Sequence, residues 1–311
     1  MRKSIHSTCF LLVLGLQSSL SLSFPHNPAP SLRDASPPPQ QSSSWAAAAE
    51  ALSDPGCCVV SVGGLDSHLR ALQEWFVDKG PDDLDLRKRV RVHDQSLHDC
   101  HELCLAVCNA GVNPHATVSA SDPATAALEE LARGVSSLAT SALEGGDCDP
   151  GIATDVFLRV VCASDYKARD PMFHTDKAPL RGYVTLTGLG TEYMTRPSSA
   201  LDYLQLRALG SGAPLHDMQR AHELEFIVMK GDHWYEAHIP PGLRETVWQR
   251  NRAACVHRSP PAATTGSEVK RRRVIVSLDL ATGDDDREWY DADMKRSWRS
   301  GMTQRKSRLV A

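Results

Sequence analysis

Hydrophobic periodicity changes character once along this 311-residue chain, near Pro150, and the change predicts helices first and strands after. Between Trp45 and about Gly146 apolar residues recur three and four apart, as in Leu65–Val77 (LDSHLRALQEWFV) and Ala126–Leu143. That is the spacing of helices with one buried face. Cys58–Val62 is the one run in this region that reads as a short strand. Beyond Pro150 the apolar runs shorten: Val156–Cys162 (VFLRVVC), Gly182–Thr187, Phe226–Met229 and Arg273–Leu280 (RVIVSLDL), each bounded by Gly, Pro or Asp. Short strands separated by turns and one long insertion point to a β-sandwich or barrel, here preceded by helices. The expected organisation is α+β, with residues 45–150 mainly helical and 151–283 mainly strand. Residues 284–311 are charged and carry Trp289, Tyr290 and Trp298, which reads as a docked or partly disordered extension.

Residues 1–23 read as a signal peptide: Arg2 and Lys3, the apolar run Cys9–Leu16, then small residues at Ser21-Leu22-Ser23. The run is too short to span a bilayer comfortably. Residues 24–44 are rich in Pro and Ser and begin with Phe24. This pair of segments resembles the two-part leaders of algae whose plastids lie inside the secretory route; plain secretion is the alternative. A hydrophobic content of 41% excludes a disordered chain, and a net charge of −4 gives no signal for nucleic acid. No membrane association is expected once the leader is removed. Of nine Cys, eight remain without Cys9, but a chain this long buries enough surface to need no disulfides.

The chemistry-bearing residues lie in the β-rich half. Phe173-His174-Thr175-Asp176 contains a His-x-Asp, whose two side chains would share one face of an extended segment. An imidazole and a carboxylate so placed can take adjacent positions on a divalent metal. His257, in Val256-His257-Arg258-Ser259-Pro260-Pro261, is the candidate for a second imidazole, making a three-ligand face with open positions, as non-haem Fe(II) oxygenases require. Arg273, opening the last strand, or Arg181, five residues after Asp176, would grip a carboxylate through two parallel hydrogen bonds. Arg271 and Arg272 read as a solvated basic turn. Glu192, Asp232 and Arg258 are candidates to support the ligands from behind. A hydrogen-bonded core role for the histidines, and a bound Zn without chemistry, are alternatives. A second cluster, His98, Cys100, His101, Cys104 and Cys108, stacks three thiols on one helical face, which fits a buried stripe better than a ligand set. Cys57-Cys58 reads as structural.

The blocks FHTDKAPLRGYVTLTGLGTEYM (173–194), FIVMKGDHWY (226–235), VHRSPP (256–261) and RRVIVSLDL (272–280) resemble a family of bacterial and algal proteins of unknown function. Its recurring pattern is F-H-x-D, R, G-x-G-T-E, K-G, H-R-S-P-P and R-[LIV]-x-[LIV]-x-L-D. That family is distantly similar to the 2-oxoglutarate/Fe(II) dioxygenases. The resemblance implies a double-stranded β-helix (jelly-roll or cupin-like) core over residues 151–283, carrying an N-terminal helical layer. It further implies Fe(II) held by His174, Asp176 and His257, 2-oxoglutarate anchored by Arg273 or Arg181, and an unknown small-molecule or protein substrate. A zinc-handling or interaction protein on the same fold is the competing expectation.

Overall fold

The computed structural model describes residues 40–93, 95–110, 118–119, 121–143, 155–163, 172–197, 217–232, 234, 254–260 and 272–281. Residues 1–23, read as a signal peptide, most of the Pro/Ser-rich segment, the 198–216 part of the insertion, Arg271 and the charged tail lie outside the described residues. In chain order the elements are β1 (Gln40–Ser42), α1 (Trp45–Ser53), β2 (Val59–Val62), α2 (Asp66–Lys79), β3 (Leu84–Arg91), α3 (Ser96–Ala110) and α4 (Pro123–Leu143). These are followed by β4 (Asp155–Ala163), β5 (Leu180–Thr187), β6 (Glu192–Met194), β7 (Met218–Arg220), β8 (Phe226–Lys230), β9 (His257–Arg258) and β10 (Arg273–Ala281).

Two of the helices begin where the sequence supplies caps. Ser44 Oγ accepts from Ala47 N–H at 3.3 Å ahead of α1. Asp122 Oδ1 accepts from Ala124 N–H at 3.1 Å ahead of α4, with Pro123 in the first helical position. Among the described residues no helix is long and apolar enough to cross a membrane.

Seven strands form one sheet in the order β1-β2-β8-β5-β10-β4-β3, antiparallel except for the β1–β2 pair. Its alternation is strict. Val274, Val276, Leu278 and Leu280 of β10, with Val156, Leu158, Val160 and Cys162 of β4, join a single apolar cluster with the buried faces of all four helices. The alternate residues Arg273, Ser277, Asp279, Arg159, Arg181 and Tyr183 belong to the opposite face. There a smaller sheet, β7-β6-β9, carries Tyr193, which packs with Tyr183, Ile227 and Met229. Cys100, Cys104 and Cys108 are buried in the helix-side cluster, as their spacing implies.

The short strand expected at Cys58–Val62 is β2, within a stretch that is otherwise mostly helical; the strand missed there is β3, which also joins the large sheet, so residue 150 divides the sequence pattern but not the sheet. β3 (LDLRKRVR) escapes a reading by apolar runs because charge pairs replace apolar contacts on its outward side. Asp85 receives both Nε and Nη2 of Arg159, each at 2.9 Å, and Arg89 pairs with Asp155. Arg272 is not a solvated turn residue: its guanidinium donates to the carbonyls of Phe76, Val77, Gly80 and Pro81. It thereby satisfies acceptors that the end of α2 leaves open.

Candidate metal centre

The segment Met172–Asp176 reaches the site as an extended strap, and a two-residue β-bridge holds it to β9. His174 N–H donates to the His257 carbonyl and His257 N–H to the His174 carbonyl, both at 2.9 Å. The two imidazoles therefore stand side by side, ring centroids 4.4 Å apart. β9 is held in turn by β6, through the Tyr193–His257 and Glu192–Arg258 pairs, and by Cys255 N–H donating to the Lys230 carbonyl at 2.8 Å. The turn after β8 closes on the strap: Asp232 N–H donates to the Asp176 carbonyl at 2.7 Å. Gly231 is required here, since a Cβ would lie 1.8 Å from the Ala178 carbonyl oxygen and 2.6 Å from that of Asp176.

His174, Asp176 and His257 come together with one donor atom each, all within 4.8 Å of one another. Among the described residues no fourth His, Cys, Asp or Glu joins them. His174 Nδ1 lies 2.9 Å from the Met172 carbonyl oxygen and His257 Nδ1 3.2 Å from that of Cys255. A carbonyl oxygen only accepts, so each Nδ1 carries a proton, and Nε2 is the nitrogen whose lone pair the neutral form of each ring offers. His257 Nε2 faces Asp176 Oδ2 at 3.1 Å, yet that buried oxygen receives no aligned hydrogen bond. Two lone pairs and a carboxylate oxygen facing one another fit a cation between them.

The other carboxylate oxygen is held. Arg181 Nη1 lies 2.5 Å from Asp176 Oδ1, while the Nε and Nη2 of Arg181 fork onto Asp279, its cross-strand neighbour on β10. Burial opposes the charge on Asp176, but the Arg181 guanidinium beside it outweighs burial and keeps the carboxyl well below the usual carboxylate range.

Arg273 is buried, with Nη2 donating to the Tyr183 hydroxyl at 2.9 Å and lying 3.5 Å from Thr191 Oγ1. A cleft opens above this face of the sheet and takes in His174, His257, Arg181, Tyr183, Thr191 and Arg273. Of the two candidate anchors, Arg181 is thus committed to two carboxylates, whereas Arg273 donates to a tyrosine hydroxyl at the floor of the cleft. Glu192 meets neither imidazole: it takes Arg220 on Oε1 and Arg258 on Oε2, joining β7, β6 and β9 in one ion-paired row. Arg258 also stacks over the Phe173 ring at 4.2 Å. Trp234 is buried in the helix-side core, away from the cleft lining. The sequence reading passed over Tyr183, Thr191, Asp279 and Arg159. For Tyr183, Asp279 and Arg159 the signal was a polar residue in phase with Arg273 or Arg181 on strands whose other phase is apolar; Thr191, just before β6, carried no such signal.

A family model described as a protein of unknown function (DUF1826) matches residues 101–279, more than half of the chain. The chain belongs to this family. No curated protein matches it. Among solved structures, AtDAO1, the dioxygenase for auxin oxidation 1 from Arabidopsis thaliana in its binary complex with 2-oxoglutarate, is 13% identical, with a TM-score of 0.50 over 79% of this chain and 92% of that one. That degree of likeness is one of fold: mixed helices and sheets around a large sheet. The dioxygenase for auxin oxidation from rice is 15% identical, with a TM-score of 0.43 over 78% of each chain.

Proposed function

We propose that this protein is a non-haem Fe(II)- and 2-oxoglutarate-dependent oxygenase, its two sheets forming a double-stranded β-helix backed by the N-terminal helices. The observation that carries the reading is the His174–Asp176–His257 cluster, with one donor atom from each residue converging beside an arginine-lined cleft. Shared fold alone would not suffice, since one architecture hosts many activities. Fe(II) at this site supplies O2 activation and the co-substrate supplies two electrons: a substrate C–H, O2 and 2-oxoglutarate become C–OH, succinate and CO2.

Within that scheme each side chain has a task. The bridge between His174 and His257 fixes the angle between the imidazoles. Arg181, itself set by Asp279, holds Asp176 Oδ1 so that Oδ2 serves the metal. Arg273 takes the far carboxylate of oxoglutarate, with the Tyr183 and Thr191 hydroxyls beside it. Glu192 and Arg258 keep β9 docked on β6. Three ligands among the described residues would leave positions for co-substrate and oxygen, whereas a structural zinc site is closed by four.

The test is anaerobic addition of Fe(II) and then oxoglutarate, expected to give a weak visible charge-transfer band. His174→Ala is expected to lose the band, and Arg273→Gln to need at least about tenfold more oxoglutarate to develop it, the loss of roughly one charge-assisted hydrogen-bonded pair. A colourless protein that holds one tight zinc and ignores oxoglutarate would sink the reading. We further infer entry to the secretory route, with a plastid destination, from residues 1–44. A fluorescent fusion to that segment tests the inference, and retention of the fusion in the cytosol would refute it.

A further inference from the structure

We propose that the molecule oxidised in this cleft is an organic anion, whose carboxylate, phosphate or sulfate group is anchored by Arg159. The inference rests on the oxygenase reading only in calling the anchored molecule the substrate. Four guanidinium groups line the cleft, those of Arg159, Arg181, Arg258 and Arg273, and no Asp or Glu is among its described lining residues. Arg181 is spent on Asp176 and Asp279, and Arg258 on Glu192 and the Phe173 ring. Arg273 is the anchor proposed for the co-substrate.

Arg159 is in a different position. It sits mid-strand on β4, on the cleft face, and gives Nε and Nη2 to the two oxygens of Asp85, both at 2.9 Å. This fork uses two of the five guanidinium protons and sets the plane of the group. Asp85 lies on the outer strand β3, whereas Arg159 itself lines the cleft, and the Nη1/Nη2 edge is the one that the Asp85 fork leaves for a group bound there. That edge is a second bidentate face, already oriented, which is the geometry that selects carboxylate, phosphate or sulfate.

Arg159 also stands clear of the co-substrate's place. In register it faces Ser277 on β10 and, one strand further, Tyr183 on β5. Neighbouring strands are about 4.8 Å apart, so its backbone is ~10 Å from that of Tyr183. Arg273 is level with Ala163, four residues along β4 from Arg159, or ~13 Å at strand rise. Two anions can therefore occupy the floor together, one at each end. A neutral substrate would leave the open guanidinium edge facing it without an acceptor, a costly arrangement in a half-buried site.

The experiment uses the full chain with Fe(II) and saturating oxoglutarate under anaerobic conditions. Benzoate and inorganic phosphate are titrated by calorimetry at fixed ionic strength of about 0.15 M, where screening suppresses nonspecific surface binding. The unchanged protein is expected to bind at least one probe, and Arg159→Gln to weaken that binding at least about tenfold while the oxoglutarate band persists. Asp85→Asn combined with Arg159→Gln removes both partners together, so a loss shared by this folded double variant is not a folding artefact. Equal probe affinity with and without Arg159, or no binding of either probe to the unchanged protein, overturns the proposal. Absence of the oxoglutarate band from the unchanged protein would instead overturn the oxygenase reading, and the Arg159 comparison, repeated without iron and oxoglutarate, would still read out the anion site.

Discussion

At the scale of single residues, the site depends on which atoms are already engaged. His174 and His257 both spend Nδ1 on a carbonyl two residues back, so only Nε2 is left to offer. Asp176 spends Oδ1 on Arg181 and keeps Oδ2. Replacing Arg181 by Gln is accordingly expected to weaken Co(II) or Mn(II) binding about 10–100-fold, the usual cost of losing a group that orients a ligand. Arg181→Lys should recover part of the loss because the charge survives. Calorimetry of the three proteins decides this, and unchanged affinity in Arg181→Gln would remove Arg181 from the site. Away from the cleft, Lys230 is buried, donating to the Asp54 carbonyl at 2.9 Å beneath Trp234. Burial lowers its pKa, with Cys57, Cys58 and Asp54 opposing more weakly. A folded pKa below the unfolded one means that the unfolded chain holds the proton longer, so this group's contribution to stability grows as pH rises through the folded value toward about 10.4. Any stability advantage of Lys230→Met at neutral pH should therefore shrink by about pH 9.5 in urea melts. A gap that widens would contradict the assignment.

Among the elements, one phase of each central strand builds the core and the other builds the cleft, so substitutions divide by phase. The helix-side thiols belong to the core. Burial pushes Cys104 up to about 12 and Cys162 up to about 11, against a hydrogen bond with Thr125 in the first and the Arg272 guanidinium beside the second. Both are expected to stay unmodified by iodoacetamide at about pH 8 in the native protein and to react within minutes in urea, as read by mass spectrometry. The turn after β8 is the other sensitive element. In Gly231→Ala the added carbon would meet the Ala178 and Asp176 carbonyls, and the overpacking should cost about 1–3 kcal/mol. Because Asp176 sits on the displaced strap, metal affinity should fall with stability. A variant with normal melting and normal metal binding would show that the turn and the strap are uncoupled.

For the whole molecule, the proposed site would link metal binding to folding, because its three candidate ligands come from a strap near residue 175 and a strand near residue 257 that meet only in the folded chain. A metal at about 100 times its dissociation constant is expected to add ~2.7 kcal/mol of stability, several degrees in Tm, and His257→Ala should abolish the increment in a calorimetric scan. Much of this was legible beforehand: period-two strands in the β-rich half, the amphipathic helices and buried Cys stripe, and His174, Asp176 and His257 as a trio, because alternation and spacing are local properties of a chain. β3 was not legible, since Arg87, Lys88 and Arg89 look like a solvated run until Asp85 and Asp155 make the cross-strand pairs that stabilise it. Nor was Arg272 as the stop for α2, nor the separation of Arg181 from Arg273. Which carboxylate a guanidinium meets is set by strand order, and Asp279 lies 98 residues from Arg181. By itself the sequence determined the phase of each strand and the set of chemically capable side chains. Only the tertiary structure decided which of them face one another, because hydrogen bonds and ion pairs act over a few ångströms and the partners are brought that close by sheet register alone.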